Sequence, residues 1–252
     1  MENDNKIIGS FFVKDTLNPE IWDNYDNVEE SKMKNDIRDG LLDIANEFLN
    51  FVGFDIFVQD ITMTGSLANF NWSDFSDIDL HIIYDFKESG EQEELYKDLF
   101  NLKKTVFNSQ HDITVKGYEV ELYIQDLNEP HMSSGVYSVL YDDWLIQPKS
   151  EEVEIDVNKI KSKSNNWMEI IDNTIDDLEE ETDLESALIK LDIVKDKIKK
   201  FRSSGLEKGG EYSYENLVFK FLRRNGYIQK LFDNKNSLID KTLSIKENTT
   251  YS

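Results

Sequence analysis

Cysteine is absent from the 252 residues, which excludes disulfide staples, thiolate nucleophiles and thiolate-held zinc. Histidine is sparse: His81, His111 and His131 are scattered and lack metal-ligand spacing. No uninterrupted apolar run approaches the roughly 20 residues that cross a bilayer, and Met1 to Lys6 is polar and acidic, so neither membrane insertion nor secretion is expected. Positive charge is scarce as well, with 28 Lys and Arg against 51 Asp and Glu, a net charge of −23. Such a surface disfavours a long nucleic acid, whose phosphates are held by clusters of Lys and Arg. A local site for one triphosphate remains compatible with it.

Hydrophobic residues make up 39% of the chain and aromatics 12%, enough to build a core in one large domain or two modest ones. The expected product is a soluble globular protein of a reducing cytoplasm. Residues 1–150 hold 30 acidic and 11 basic side chains, net −19, whereas 151–252 hold 21 and 17, net −4. That shift divides the chain into domains at 1–150 and 151–252. Within the second, residues 190–224 carry ten Lys or Arg against five acids, the only sizeable basic stretch.

Periodicity gives the elements. Ile37, Leu41, Ile44, Ala45, Phe48 and Leu49 recur at helical spacing and Gly53 is a credible stop before a strand around Phe54–Val58. Ile61–Thr64 reads as a short strand ending at Gly65-Ser66, with a helix then leading to a strand in which Ile78, Leu80 and Ile82 alternate with Asp77, Asp79 and His81. Helical spacing returns over Glu91–Phe107. Asp112–Val115 and Tyr118–Gln125 flank Lys116-Gly117 as a hairpin, and Val136–Tyr141 with Trp144–Ile146 forms a second, ended by Pro148. Beyond Ser150 the pattern is helical: 158–179, 184–202, a turn-rich Gly205–Gly210 connection, a helix over Ser213–Arg224 stopped by Asn225-Gly226, and a polar tail from Leu243. The fold class is therefore α+β, a mixed sheet followed by a helical bundle.

The chemically informative segment is Met63-Thr64-Gly65-Ser66, followed after ten residues by Asp77-Ile78-Asp79-Leu80-His81. Side chains two apart on a strand share a face, so Asp77 and Asp79 present two carboxylates together while Ile78 and Leu80 pack behind. A paired carboxylate patch suits Mg2+, which prefers oxygen ligands and keeps positions for water and phosphate. Gly65 lets the backbone approach closely, and Ser66 with neighbouring N–H groups at a helix start can hold phosphate oxygens. On the later strand, either Glu119 or Glu121 can face the same cleft.

This arrangement resembles the Gly-Ser, then Asp-x-Asp signature of DNA polymerase β-like nucleotidyltransferases. The resemblance implies a mixed-sheet catalytic domain in which Asp77, Asp79 and an acid on a later strand gather Mg2+, with Mn2+ as a substitute, around a nucleoside triphosphate. The family pattern places that acid between apolar neighbours, which selects Glu121, between Val120 and Leu122, although aspartate is commoner there. The implied reaction is transfer of a nucleoside monophosphate to a hydroxyl acceptor (a small molecule, a protein side chain or an RNA end) with release of pyrophosphate. Leu17-Asn18-Pro19-Glu20-Ile21-Trp22-Asp23 and Gly209-Gly210-Glu211-Tyr212-Ser213-Tyr214-Glu215-Asn216-Leu217 are similar to segments of predicted nucleotidyltransferases encoded by tailed bacteriophages. That likeness implies a viral protein in a bacterial host's cytoplasm or in a virion, and an alternative role as a non-catalytic nucleotide- or protein-binding module.

Other residues admit plainer roles. His81 shares the predicted face of Asp77 and Asp79 but is expected to pack or hydrogen-bond; Phe70 and Trp72 are expected to pack rather than stack on a base, and Asp74 to cap a turn. Lys195, Lys199 and Arg202 fall at i, i+4 and i+7 of a helix, a solvated basic face unless they or Lys220, Arg223 and Arg224 meet a triphosphate or the acceptor.

Overall fold

The computed structural model describes residues 2–53, 55–131, 133–150, 153–180 and 183–244. It is α+β: among the described residues there are seven α-helices and a six-stranded mixed sheet, with a separate two-stranded ribbon. The first half runs α1 (Glu2–Gly9), β1 (Trp22–Asp23), β2 (Lys32–Met33), α2 (Asn35–Val52), β3 (Val58–Thr64), β4 (Ile78–Tyr84), α3 (Glu93–Gln110), β5 (Thr114–Val115), β6 (Tyr118–Asp126), β7 (Val136–Ser138) and β8 (Asp143–Ile146). The second half is helical, with α4 (Val157–Glu180), α5 (Leu184–Gly209), α6 (Tyr214–Arg224) and α7 (Tyr227–Leu243). No helix among the described residues is long and apolar enough to cross a membrane.

The chain divides into two compact units, Phe12–Glu152 and Met1–Phe11 with Val153–Ser252. The first eleven residues thus group with the helices, whereas composition places them with the sheet. Ile7, Ile8 and Phe11 are buried, and the Arg224 guanidinium donates to Ser10 Oγ. Such contacts between distant stretches of chain leave no trace in local composition.

In the sheet unit the strand order is β5-β6-β4-β3-β7-β8. β3 runs antiparallel to β4, and β4 parallel to β6, so the β4–β6 connection needs the crossover that α3 provides. Register sorts the side chains onto two faces. Ile61 lies opposite Ile82, Met63 opposite Leu80, and Leu80 opposite Leu122, all buried in one core with Ile37, Leu41 and Phe48 of α2 and Phe100 and Phe107 of α3. The other face is polar: Thr62 lies opposite His81, Thr64 opposite Asp79, Asp79 opposite Glu121, and His81 opposite Tyr123. Helices cover one side and leave the other face polar.

Local signals explain the boundaries. α2 ends where Gly53 adopts φ 84° and its N–H bonds to the Leu49 carbonyl, a left-handed cap. Lys116 and Gly117, with φ 52° and 83°, turn β5 into β6. The strand expected at 54–58 is not formed: β3 starts only at Val58, residues 55–57 are irregular with Phe57 exposed, and Phe54 lies outside the described residues. The tail after Ser244 also lies outside them.

The helix expected between Gly65-Ser66 and Asp77 is likewise replaced, by a single 3₁₀ turn over Ser66–Ala68 and irregular chain beyond it. Side chains there satisfy the backbone in place of a helix ladder: Asn69 Oδ1 accepts from Phe70 N, and Ser76 Oγ from Ser73 N. Phe70 is buried in the core, and Trp72 Nε1 donates to the Thr16 carbonyl, so both aromatics pack.

In the helical unit, α5 passes through the expected turn at Gly205 and ends only at Gly209 and Gly210. Gly205 is buried, and a Cβ there would lie 2.5 Å from Glu215 Cβ and 2.8 Å from Ser213 Oγ. The glycine is there for close packing against the start of α6, where Ser213 Oγ accepts from Asn216 N as an N-cap.

Candidate metal centre

Three adjacent strands build the site. Asp77 immediately precedes β4, Asp79 is its second residue, and Glu121 is opposite Asp79 on β6. One carboxylate oxygen from each lies within 4.8 Å of the others. Glu119 is exposed, pairs with Thr114 at the hairpin end and is not part of this cluster, so of the two glutamates that alternation left equal it is Glu121 that meets the aspartates. Three carboxylates this close repel one another, and a divalent cation offsets that repulsion. The donor set fits Mg2+ or Mn2+, hard ions that take carboxylate oxygens. Opposite ligands of one magnesium stand about 4.2 Å apart, so small rotations of these side chains bring all three within bonding range.

β3 delivers Gly65 against the cluster. Its φ of 78° and ψ of −161° belong to a region open almost only to glycine. A Cβ on Gly65 would lie 1.9 Å from Asp79 Oδ2, so no other residue fits without moving that carboxylate. Ser66 Oγ donates to Ser76 Oγ at 2.7 Å, tying the Gly-Ser turn to the residue before Asp77. With only three residues in the 3₁₀ turn, an aligned helix dipole at Ser66 is lacking; any phosphate contact there falls to individual N–H groups and the hydroxyl.

Two neighbours on the same face condition the carboxylates. Tyr123 donates its hydroxyl to Glu121 Oε2, fixing that carboxylate from the next residue on its side of β6. Burial, then the Glu121 bond and the charges of Glu121, Asp79 and Asp77, raise the Tyr123 pKa, so the phenol keeps its proton. His81 stacks on Tyr123 with ring centroids 4.9 Å apart, and its Nε2 lies 3.1 Å from Thr64 Oγ1. Burial lowers the His81 pKa to about 4, opposed by the Gln125 amide and reinforced by His131 and Lys104. The ring is therefore neutral near pH 7. Its buried Nδ1 and the buried Thr62 Oγ1 beside it form no well-shaped hydrogen bond among the described residues.

The chain matches no protein-family model, no curated protein and no solved structure.

From Asp79 and Gly65 an open cleft of about 580 Å³ continues past His81, Tyr123, Gln125 and His131. That volume falls within the range of small-molecule sites. The sequence places His81 on the face of Asp77 and Asp79 but assigns no site role to Tyr123, Gln125 or His131. Tyr123 and Gln125 were open to inference, since they continue the two-residue alternation from Glu121; His131, on a loop, was not. Lys104 Nζ stands 5.0 Å from the Tyr123 ring centroid and brings a cation near the same end. Asp74 is exposed and lies outside the carboxylate cluster. In the helical unit Lys220 pairs with Glu211 at 2.5 Å and Arg224 bonds Ser10, while Lys195, Lys199 and Arg202 line a separate groove.

Proposed function

We propose that the sheet unit is a metal-dependent nucleotidyltransferase that moves a nucleoside monophosphate from a triphosphate to a hydroxyl acceptor. The observation that carries this reading is the meeting of Asp77, Asp79 and Glu121 within 4.8 Å beside a glycine that only its lack of a side chain allows against Asp79. Bound Mg2+ would supply charge neutralisation at the phosphates and a lowered proton affinity at the acceptor hydroxyl.

The protein's own groups provide position. Asp77, just before β4, and Asp79, on it, would hold the metal together with Glu121 of the neighbouring strand, so β4–β6 pairing sets the spacing. Tyr123 keeps Glu121 oriented through a bond that does not titrate near neutrality. The Gly65-Ser66 turn places backbone at the mouth of the cleft, and neutral His81 lines its floor beside Thr64 without adding charge. No side chain need form a covalent intermediate, because positioning and charge stabilisation dominate phosphoryl transfer.

The test is titration with each nucleoside triphosphate, with and without Mg2+ or Mn2+, beside an Asp77→Asn/Asp79→Asn variant shown to be folded. The expected result is metal-dependent binding of at least one triphosphate that the variant lacks; the preferred nucleotide then opens a screen for the acceptor. Failure to bind any triphosphate would leave the fold as a protein-binding module.

A further inference from the structure

The helical unit contains a groove of about 330 Å³ between α5, α6 and α7, with a composition unlike the rest of this acidic chain. Ile198 and Leu231 form its buried floor; Phe219, Leu206 and Phe232 form its walls, the last two 39% and 41% exposed. Along one rim stand Lys195, Lys199 and Arg202, at i, i+4 and i+7 of α5 and so on one side of that helix. Among the described residues no carboxylate lines the groove.

The three cations are also unneutralised. Elsewhere in this unit Lys220 pairs with Glu211 at 2.5 Å, Lys230 with Asp172 at 2.6 Å and Lys235 with Asp192 at 2.5 Å. Lys195, Lys199 and Arg202 have no ion pair among the described residues; Lys195 lies over Phe232 at 5.2 Å and Arg202 over Phe219 at 4.2 Å. Arg202 Nε donates to Asn216 Oδ1 at 3.2 Å, which fixes the guanidinium at the groove. Burial, then the charge of Arg223, lowers the Arg202 pKa, the mark of a cation held without an anion. An apolar floor suits an apolar body, and an unpaired cationic rim suits an anionic group.

We propose that this groove binds a small amphiphilic anion: a monomeric molecule whose carboxylate or phosphate meets Lys195, Lys199 and Arg202 while its aliphatic or aromatic body packs between Phe219 and Phe232. The size decides for a small molecule over an acidic partner helix. A volume of about 330 Å³ lies at the lower end of small-molecule pockets, whereas a docked helix engages anchors over two or more turns. The inference uses the helical unit alone and stands whether or not the sheet unit transfers nucleotides.

The experiment is calorimetric titration of the full chain with octanoate and with phenyl phosphate, repeated with octanol and octylammonium, and with anionic phospholipid vesicles. Saturable binding of octanoate or phenyl phosphate is expected, with octanol and octylammonium weaker by about tenfold or more, the equivalent of one charge-assisted contact. Lys199→Glu, at an exposed position that leaves folding intact, should weaken the anion by a similar factor and leave octanol unchanged. Ser203→Trp, which fills the groove from its rim, should abolish both in a protein with an unaltered circular dichroism spectrum. The proposal is overturned if neither anion saturates, if octanol matches octanoate, if Lys199→Glu has no effect, or if only vesicles bind.

Discussion

At the residue scale, Gly65 and His81 make the strongest demands on their surroundings. Replacing Gly65 with alanine puts a Cβ 1.9 Å from Asp79 Oδ2 and forces a side chain onto a backbone with φ 78°. The conformation alone costs about 1–3 kcal/mol. Displacement of Asp79 should weaken Mn2+ binding about tenfold or more in protein that remains folded, as orienting contacts around a metal commonly do. Thermal melting and Mn2+ titration read the two effects separately, and unchanged Mn2+ affinity would sink the assigned role. His81 sets a pH dependence. Its folded pKa of about 4 is below the ordinary 6.5, so between those values the unfolded chain binds more protons than the folded one. Its contribution is intact above pH 6.5 and is lost as pH falls toward 4, by roughly 3 kcal/mol in all. Urea midpoints measured from pH 7 to 4 should fall more steeply for the natural protein than for His81→Gln; parallel curves would show that His81 is not held neutral.

Elements show where periodicity succeeds and where it misleads. α2 was legible because Ile37, Leu41, Ala45, Phe48 and Val52 keep a buried stripe and Gly53 closes it. The β5–β6 hairpin was legible because Lys116-Gly117 can take positive φ. α7 was not, since its buried residues Leu231 and Leu238 are seven apart and give too thin a stripe to read. Gly205 misled for another reason: glycine marks turns in a sequence, but it also permits close helix packing. Alanine normally favours a helix interior over glycine by about 1 kcal/mol. Here Gly205→Ala should lower stability by about 1–2 kcal/mol, since the new methyl would meet Glu215 Cβ at 2.5 Å and overpacking outweighs propensity. A higher melting temperature for the variant would disprove that packing.

Over the whole molecule, two compact units divide the chain, and the N-terminal helix belongs to the same unit as the C-terminal helices. Removing residues 1–11 withdraws Ile7, Ile8 and Phe11 from burial, each side chain worth about 1.5–3 kcal/mol. Calorimetry should then show a lowered transition for the helical unit, while Mn2+ binding by the sheet unit is retained. Loss of Mn2+ binding instead would mean that α1 supports the sheet. The sequence by itself determined the α+β class, the two-part texture and the pairing of Asp77 with Asp79, because strand and helix periods and the two-residue alternation are local properties. Tertiary structure decided the rest. Glu121 meets Asp79 through the parallel β4–β6 register, a contact between residues about forty apart, and Gly65 lacks room for a side chain because Asp79 packs against it. Three lysine and arginine side chains that periodicity assigns to a solvated face instead line an apolar groove, because α6 and α7 supply its other walls.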